Sequence, residues 1–238
     1  MSMARKALCM VTAGSFAATM ALAGCTSDGP DPRGATYTTA MLQAGVLEPG
    51  DIGPTWKRPA ESAPPTTSIT PLCAGVAKRP PVPGSPTGSI AASMADEGDK
   101  GAQAFDQLGL VYKDAAAMEA AFASLQDTMD ACPPSASRSA GPRDSTSEAG
   151  YSETSTIEPL VSGNWKGFVT VRHKAYEAAY PGSADVAVAV VGQGNAIVVA
   201  SYAVYWVGEH ATGSEFTTDW RRMVGTVLSR VDAKKPAN

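Results

Sequence analysis

The chain is short of the groups on which hydrolases are built. It has no G-x-S-x-G turn to present a nucleophilic serine, and no lysine stands three residues after a serine. Imidazole is scarce. His173 and His210 are the two histidines, too distant in sequence for the H-x-x-x-H spacing of a zinc-binding helix. His173 stands between Arg172 and Lys174, a setting that reads as poor for a further cation. The run Asp96-Glu97-Gly98-Asp99 lacks the closing glutamate of an EF-hand loop and reads as an acidic turn. Gly192-Gln193-Gly194 leads into a strand pattern, so no helix dipole is there to hold a phosphate. Lysine and arginine form no cluster that would follow a nucleic-acid backbone. No catalytic residue, metal, cofactor or nucleic-acid partner is therefore expected.

Long apolar runs are limited to one, near the start. Arg5 and Lys6 precede an almost uncharged stretch from Ala7 to Ala23, too short for a comfortable membrane span. It ends in Leu22-Ala23-Gly24-Cys25, which resembles a bacterial lipobox. That resemblance implies cleavage before Cys25 and diacylglyceryl attachment to its thiol. Two acyl chains hold a protein on a bilayer far more durably than one. The alternative is an ordinary secretory leader with Ala21 to Ala23 as its small-residue site. Residues 1–24 are thus read as a signal peptide, and 25–36, rich in Thr, Ser, Asp, Gly and Pro, as the anchor and a flexible tether. Residues 37–232 are read as one domain and 233–238 as a tail. All 23 acidic residues lie beyond the leader, against 17 of the 19 basic ones, so that part carries about -6.

Cysteine is also sparse. Of four, Cys9 lies in the leader and Cys25 at the lipobox, which leaves Cys73 and Cys132. An even pair outside the cytoplasm reads as one disulfide. A catalytic or metal-binding thiol pair is the competing reading, disfavoured because there is no C-x-x-C and no histidine beside either sulfur.

The periodicity of what remains alternates between helix and strand. Thr39 is read as capping a short helix with Met41, Leu42 and Val46, ended by Pro49-Gly50. Residues 58–86 are rich in proline, with one helical turn expected around Cys73. Ser89–Asp96 and Ala102–Tyr112 read as strands, the second with Leu108, Leu110 and Tyr112 on one face and Phe105 and Val111 on the other. Asp114 is a candidate N-cap for a helix whose stripe is Met118, Phe122, Leu125 and Met129, stopped at Cys132 by Pro133-Pro134. Residues 135–148 read as an exposed loop. Four long strands follow, 151–161, 165–178, 185–191 and 196–206, with a tight turn at Gly192-Gln193-Gly194-Asn195. Phe216, Trp220, Met223, Val224, Val227, Leu228 and Val231 mark a last amphipathic helix. The connections are too short for crossovers. The expected fold is therefore α+β: an antiparallel sheet of about five to six strands with helices packed on one face and one disulfide.

Aromatic residues are few but concentrated on the long strands: Trp165, Tyr176, Tyr180, Tyr202, Tyr205 and Trp206. Alternation places Tyr202 and Trp206 on one face and Tyr205 on the other. A sheet face left bare by the helices would offer an amphipathic wall to a sugar, peptide or lipid fragment; Arg172 and Lys174 beside it would favour an anionic group, and a solvated strand edge accounts for them equally well. Trp165, Arg172, His173, Tyr202, Tyr205 and Trp206 are the candidate ligand-binding residues. Core packing is the plainer account of the same rings.

The run Met41-Leu42 through Leu47-Glu48-Pro49-Gly50-Asp51-Ile52-Gly53, Trp56, the turn Pro71-Leu72-Cys73, the helix ending at Cys132 and the closing sheet and helix resemble the extracellular sensor domain of the mycobacterial PknH-type Ser/Thr kinases, also carried by actinobacterial lipoproteins. The likeness would extend over residues 36–231. Kinase-linked members have a second disulfide, for which this chain lacks the cysteines. The resemblance implies a non-catalytic sensing or ligand-binding domain with a cleft beside an antiparallel sheet. The function expected is that of a cell-envelope lipoprotein on the outer face of the membrane. Its partners would be the membrane, through Cys25, and a small envelope-derived ligand held between the sheet and the arm carrying Cys73. The alternatives are a lipid or glycolipid carrier, and a module that docks another envelope protein.

Overall fold

Strand alternation and amphipathic helices combine into one antiparallel sheet covered on both faces. The computed structural model describes residues 35–59, 67–98, 101–140, 149–177, 182–207 and 213–235. These belong to a compact unit spanning Pro32–Asn238. The leader, Cys25, most of the tether, Asp99, Tyr180, His210 and residues 236–238 lie outside the described residues.

The sheet is built from β1 (Gly88–Gly98), β2 (Gly101–Val111), β3 (Ser135–Arg138), β4 (Tyr151–Ser162), β5 (Trp165–Tyr176), β6 (Gly182–Gln193) and β7 (Ala196–Val207), in the spatial order β1-β2-β7-β6-β5-β4-β3. All neighbours run antiparallel. Among the described residues there are seven strands rather than five or six. The additional one is β3, whose four residues Ser-Ala-Ser-Arg are mostly exposed and carry no apolar alternation to announce a strand. It pairs only with Tyr151–Thr154 of β4.

Among the described residues four helices join the sheet: α1 (Thr39–Ala44), α2 (Pro49–Ile52), α3 (Ala115–Asp130) and α4 (Ser214–Asp232). The side chain of Thr38, one residue before the expected cap, accepts the Met41 N–H and starts α1. Pro49-Gly50 does not end that helix. It opens α2, since proline's missing N–H is harmless at a first helical position and Glu48 and Asp51 form a reciprocal capping box. Asp114 caps α3 by accepting the Ala117 N–H at 2.8 Å, as its sequence position suggested. Cys73 does not ride on a helical turn. Residues 67–83 form an irregular arm with a bend at Cys73.

Because side chains alternate along a strand, the β6 run is divided between two cores. Ala187, Ala189 and Val191 face α1 and α4, together with Val198, Ala200 and Tyr202 of β7. Val188 and Val190 face the opposite way, joining Leu108, Leu110, Phe168, Ile197 and Val199 beneath α3 and the arm residues Ile69 and Leu72. Helices α1, α2 and α4 thus gather on one face, through Met41, Ile52 and the apolar stripe of α4, while α3 lies across the sheet from them. The expected bare face is in part occupied. A sheet with valine on both sides of β6 requires cover on both.

Cys73 and Cys132 are joined in a disulfide. It ties the arm to the C-terminal end of α3. No helix among the described residues is long and apolar enough to cross a membrane.

Candidate functional site

The six candidate residues are divided by the sheet. Trp165, His173, Tyr202 and Trp206 lie on the α1/α4 face; Arg172 and Tyr205 lie on the α3 face. Trp165 is fully buried, packs against Tyr37 with the ring centroids 4.9 Å apart and the planes tilted by 47°, and donates its indole N–H to Asp232 Oδ1 at 3.1 Å. Tyr202 is buried against Phe216 at 5.4 Å and donates its hydroxyl to Gln103 Oε1 at 2.6 Å; burial raises its pKa. These two rings are structural anchors whose polar ends are already satisfied. Trp206 is half-buried against the same core. Tyr205 is 46% exposed on the other face.

His173 is not set among cations. Arg172 and Lys174, its sequence neighbours, point through the opposite face, whereas its cross-strand partner Asp185 shares its own. His173 Nδ1 and the fully buried Asp185 Oδ1 are 2.8 Å apart.

Arg172 lies under the arm. Its guanidinium stands 3.4 Å from the carboxylate of Glu153, both almost wholly buried, and donates to the Cys73 carbonyl at 3.2 Å. Glu153 also accepts the Gly75 N–H at 2.8 Å, and Lys174 Nζ stands 3.9 Å from it. Burial draws the Arg172 pKa down while Glu153 acts in the opposite sense. Further along, Arg79 of the arm donates to Asp106 at 2.7 Å, Asp106 also accepts the Ser93 hydroxyl, and Thr70 meets Ser201 at 3.3 Å. The arm is therefore seated directly on the sheet. Between Ile69, Thr70, Arg79 and Leu108 the space measures about 10 Å³, no more than one water requires. Among the described residues, the arm's own contacts occupy the place where a cleft between sheet and arm was expected.

Open space lies elsewhere. At the end of the sheet where β4 begins and β5 finishes is a hollow of about 320 Å³, walled by Ser137 to Ser139, Tyr151, Ser152 and Tyr176. Tyr151 and Tyr176 are cross-strand partners with ring centroids 6.3 Å apart, edge to face. Lys174 Nζ sits 4.0 Å above the Tyr151 ring. Glu177 closes the hollow: its backbone N–H donates to Gly150 O at 2.9 Å and its carboxylate accepts the Ala140 N–H at 3.3 Å. At the other end of the sheet is a groove of about 330 Å³, lined by Met118, Glu119, Phe122, Ala123, Lys166 and Gly192. The first is polar and aromatic, the second mostly apolar.

No family model matches the chain, and no curated protein does. Among solved structures it is similar to the extracellular domain of PknH from Mycobacterium tuberculosis, at 13% identity and a TM-score of 0.49, over 84% of this chain and 98% of that one. What the hollow can do follows from its own residues. Three serines, an arginine and two tyrosine rings offer donors, acceptors and flat apolar faces together, a set suited to hydroxyl-rich or amide-bearing ligands. Among the described residues no three His, Cys, Asp or Glu side chains converge to hold a metal.

Tyr176 was legible as part of the aromatic group on the strands. Ser137, Ser139, Tyr151 and Ser152 were not. Ser137 and Ser139 fall in a stretch with no periodicity, Ser152 carries no mark within its strand, and Tyr151 meets Tyr176 only through the β4–β5 register, which a sequence without that pairing does not reveal.

Proposed function

We propose that this chain is a lipid-anchored domain on the outer face of the membrane, which binds a small polar ligand of the cell envelope in the hollow beside Tyr151 and Tyr176 and has no catalytic role. The observation that carries the reading is the hollow itself, polar and framed by paired tyrosines at the sheet end opposite Ala35. The Cys73–Cys132 disulfide supports a location in an oxidising compartment, and the lipobox-like Leu22 to Cys25 supports the anchor. A saccharide or short peptide unit matches the wall chemistry, since hydroxyls and amides pair with serine and arginine while ring faces stack on tyrosine.

The test is calorimetric titration of the full chain with a panel of envelope saccharides and peptides, in parallel with Tyr176→Ala and Ser137→Ala/Ser139→Ala. Saturable binding by the parent and a loss of tenfold or more in the variants is expected, which corresponds to about 1.4 kcal/mol. Equal binding by Tyr176→Ala, or no binding across the panel, would overturn the assignment.

A further inference from the structure

We propose that the tether-side end of the sheet, bearing the β4–β5 and β6–β7 turns, docks on an anionic lipid bilayer with the apolar groove beside α3 facing the membrane. This rests on the reading of Cys25 as a lipid anchor.

The first support is where the chain enters the body. Ala35 lies against the β6–β7 turn so closely that a Cβ on Gly194 would stand 1.7 Å from the Ala35 carbonyl oxygen. Asn195 then clamps the segment: its side chain accepts the Tyr37 N–H at 2.6 Å and donates to Tyr37 O at 3.2 Å and Tyr112 O at 2.9 Å. Cys25 is ten residues upstream of Ala35. At ~3.6 Å per extended residue, the bilayer surface lies within about 36 Å of this turn. A strand of 12 residues spans ~40 Å, so a tether of that reach is too short for the body to stand on its opposite end.

The second is charge. Although the chain beyond the leader is acidic overall, this end carries Lys113, Lys166, Lys234 and Lys235. Against these four stand Asp114, Glu119 and Asp232, which leaves a surplus of one positive charge, carried by Lys166 and Lys234 rather than by the paired Lys113 and Lys235. Asp232 pairs with Lys235 at 2.8 Å and also accepts the hydroxyl of Tyr37 and the indole N–H of Trp165. Asp114 caps α3 and stands 3.9 Å from Lys113. Glu119, on the groove wall, is the remaining acid beside these lysines.

The third is apolar surface in the same place. Met118, Phe122 and Ala123 form one wall of the groove, with Gly192 and the stem of Lys166 opposite. Val161, the cross-strand partner of Lys166, is 67% exposed and extends the apolar strip along the sheet. Lysine stems over apolar surface with their ammonium groups reaching outward are the pattern of a bilayer-facing patch. A nearby anionic surface attracts each such lysine by an amount equivalent to about fivefold in binding.

The test uses the full lipidated chain purified from cells, its intact mass establishing whether Cys25 carries diacylglyceryl. Reconstituted in phosphatidylglycerol-containing and in pure phosphatidylcholine vesicles, the protein is followed by hydrogen–deuterium exchange. Amide exchange in residues 115–123 and 161–166 is expected to slow about fivefold or more on the anionic vesicles. Lys166→Glu/Lys234→Glu and molar salt should abolish that difference, and Val161→Ser should diminish it. With the lipid mass present, equal exchange on both vesicles, or protection confined to residues 151–153 and 175–177 at the other end, overturns the docking surface and leaves the anchor standing. Protection without vesicles, accompanied by a doubled mass in solution, assigns the groove to a second copy and overturns the proposal. Absence of the lipid mass removes the anchor reading and this one with it.

Discussion

Arg172 and Glu153 form the ion pair on which the arm is seated, and their burial makes the pair asymmetric in its consequences. Removing one partner strands a charge in a dry setting, which costs about 3–5 kcal/mol, whereas replacing both with apolar side chains of similar volume is close to neutral. Arg172→Ala is therefore expected to lower the urea-unfolding free energy by about that amount, and Arg172→Met/Glu153→Leu to recover most of it. A single-variant loss below ~1 kcal/mol would show that Lys174, 3.9 Å from Glu153, takes over the role. Asp51 gives a different prediction. Two hydrogen bonds from Arg230, at 2.7 and 2.6 Å, and one from the Glu48 backbone lower its pKa from 3.8 to about 2. A carboxylate depressed on folding stabilises the protein above its unfolded pKa and loses that contribution as the pH falls towards the folded value. Acid titration should thus show stability declining between about pH 4 and pH 2, and the decline should be shallower in Asp51→Asn.

At the scale of elements, the arm 67–83 and strand β4 are the two features whose behaviour is set by what they lack. The arm has little apolar area beyond Ile69 and Leu72, and its place depends on the disulfide, on Arg79 with Asp106 and on the Arg172 and Glu153 contacts. Opening the closed loop, a separation of 59 residues, frees the unfolded chain by about 4 kcal/mol on the chain-entropy model. Cys73→Ala/Cys132→Ala is expected to lose stability of that order and to become cleavable within the arm while α4 and its core stay protected. Limited proteolysis read by mass spectrometry distinguishes this from general unfolding. Strand β4 is paired on its outer side only as far as Thr154, and Ile157 and Val161 beyond it are exposed. Ser155 directs its N–H outward, to Pro134 O, and two-residue alternation gives Pro159 the same orientation. Proline there removes an outward donor without costing the β5 ladder a bond, the usual protection of an edge against strand addition.

Across the whole molecule, the tyrosines report on the two cores. Tyr37, Tyr112 and Tyr202 are held above the ordinary phenol range chiefly by burial, Tyr112 up to about 12, with Asp232 adding to the effect on Tyr37. A phenol whose pKa rises on folding contributes stability that is complete below its unfolded value near ~10 and is lost as the pH climbs beyond it. Ultraviolet titration is expected to show a late cooperative step in which the buried three ionise together with loss of the near-ultraviolet circular dichroism. Ionisation of these three without loss of the dichroism would contradict this packing.

The order of elements, the caps at Asp114 and the Gly194 turn, the apolar stripe of α4 and the Cys73–Cys132 pairing were decided locally, by side-chain period, by backbone freedom and by the count of available sulfurs, and so could be read from the residues in order. The seventh strand, the cover on both faces, the filled space beneath the arm and the hollow at Tyr151 and Tyr176 were decided by register and by which layer met which. Those depend on partners far apart in the chain, such as Glu153 with Gly75 or His173 with Asp185, and a two-residue repeat states that a strand has two faces without stating what covers each.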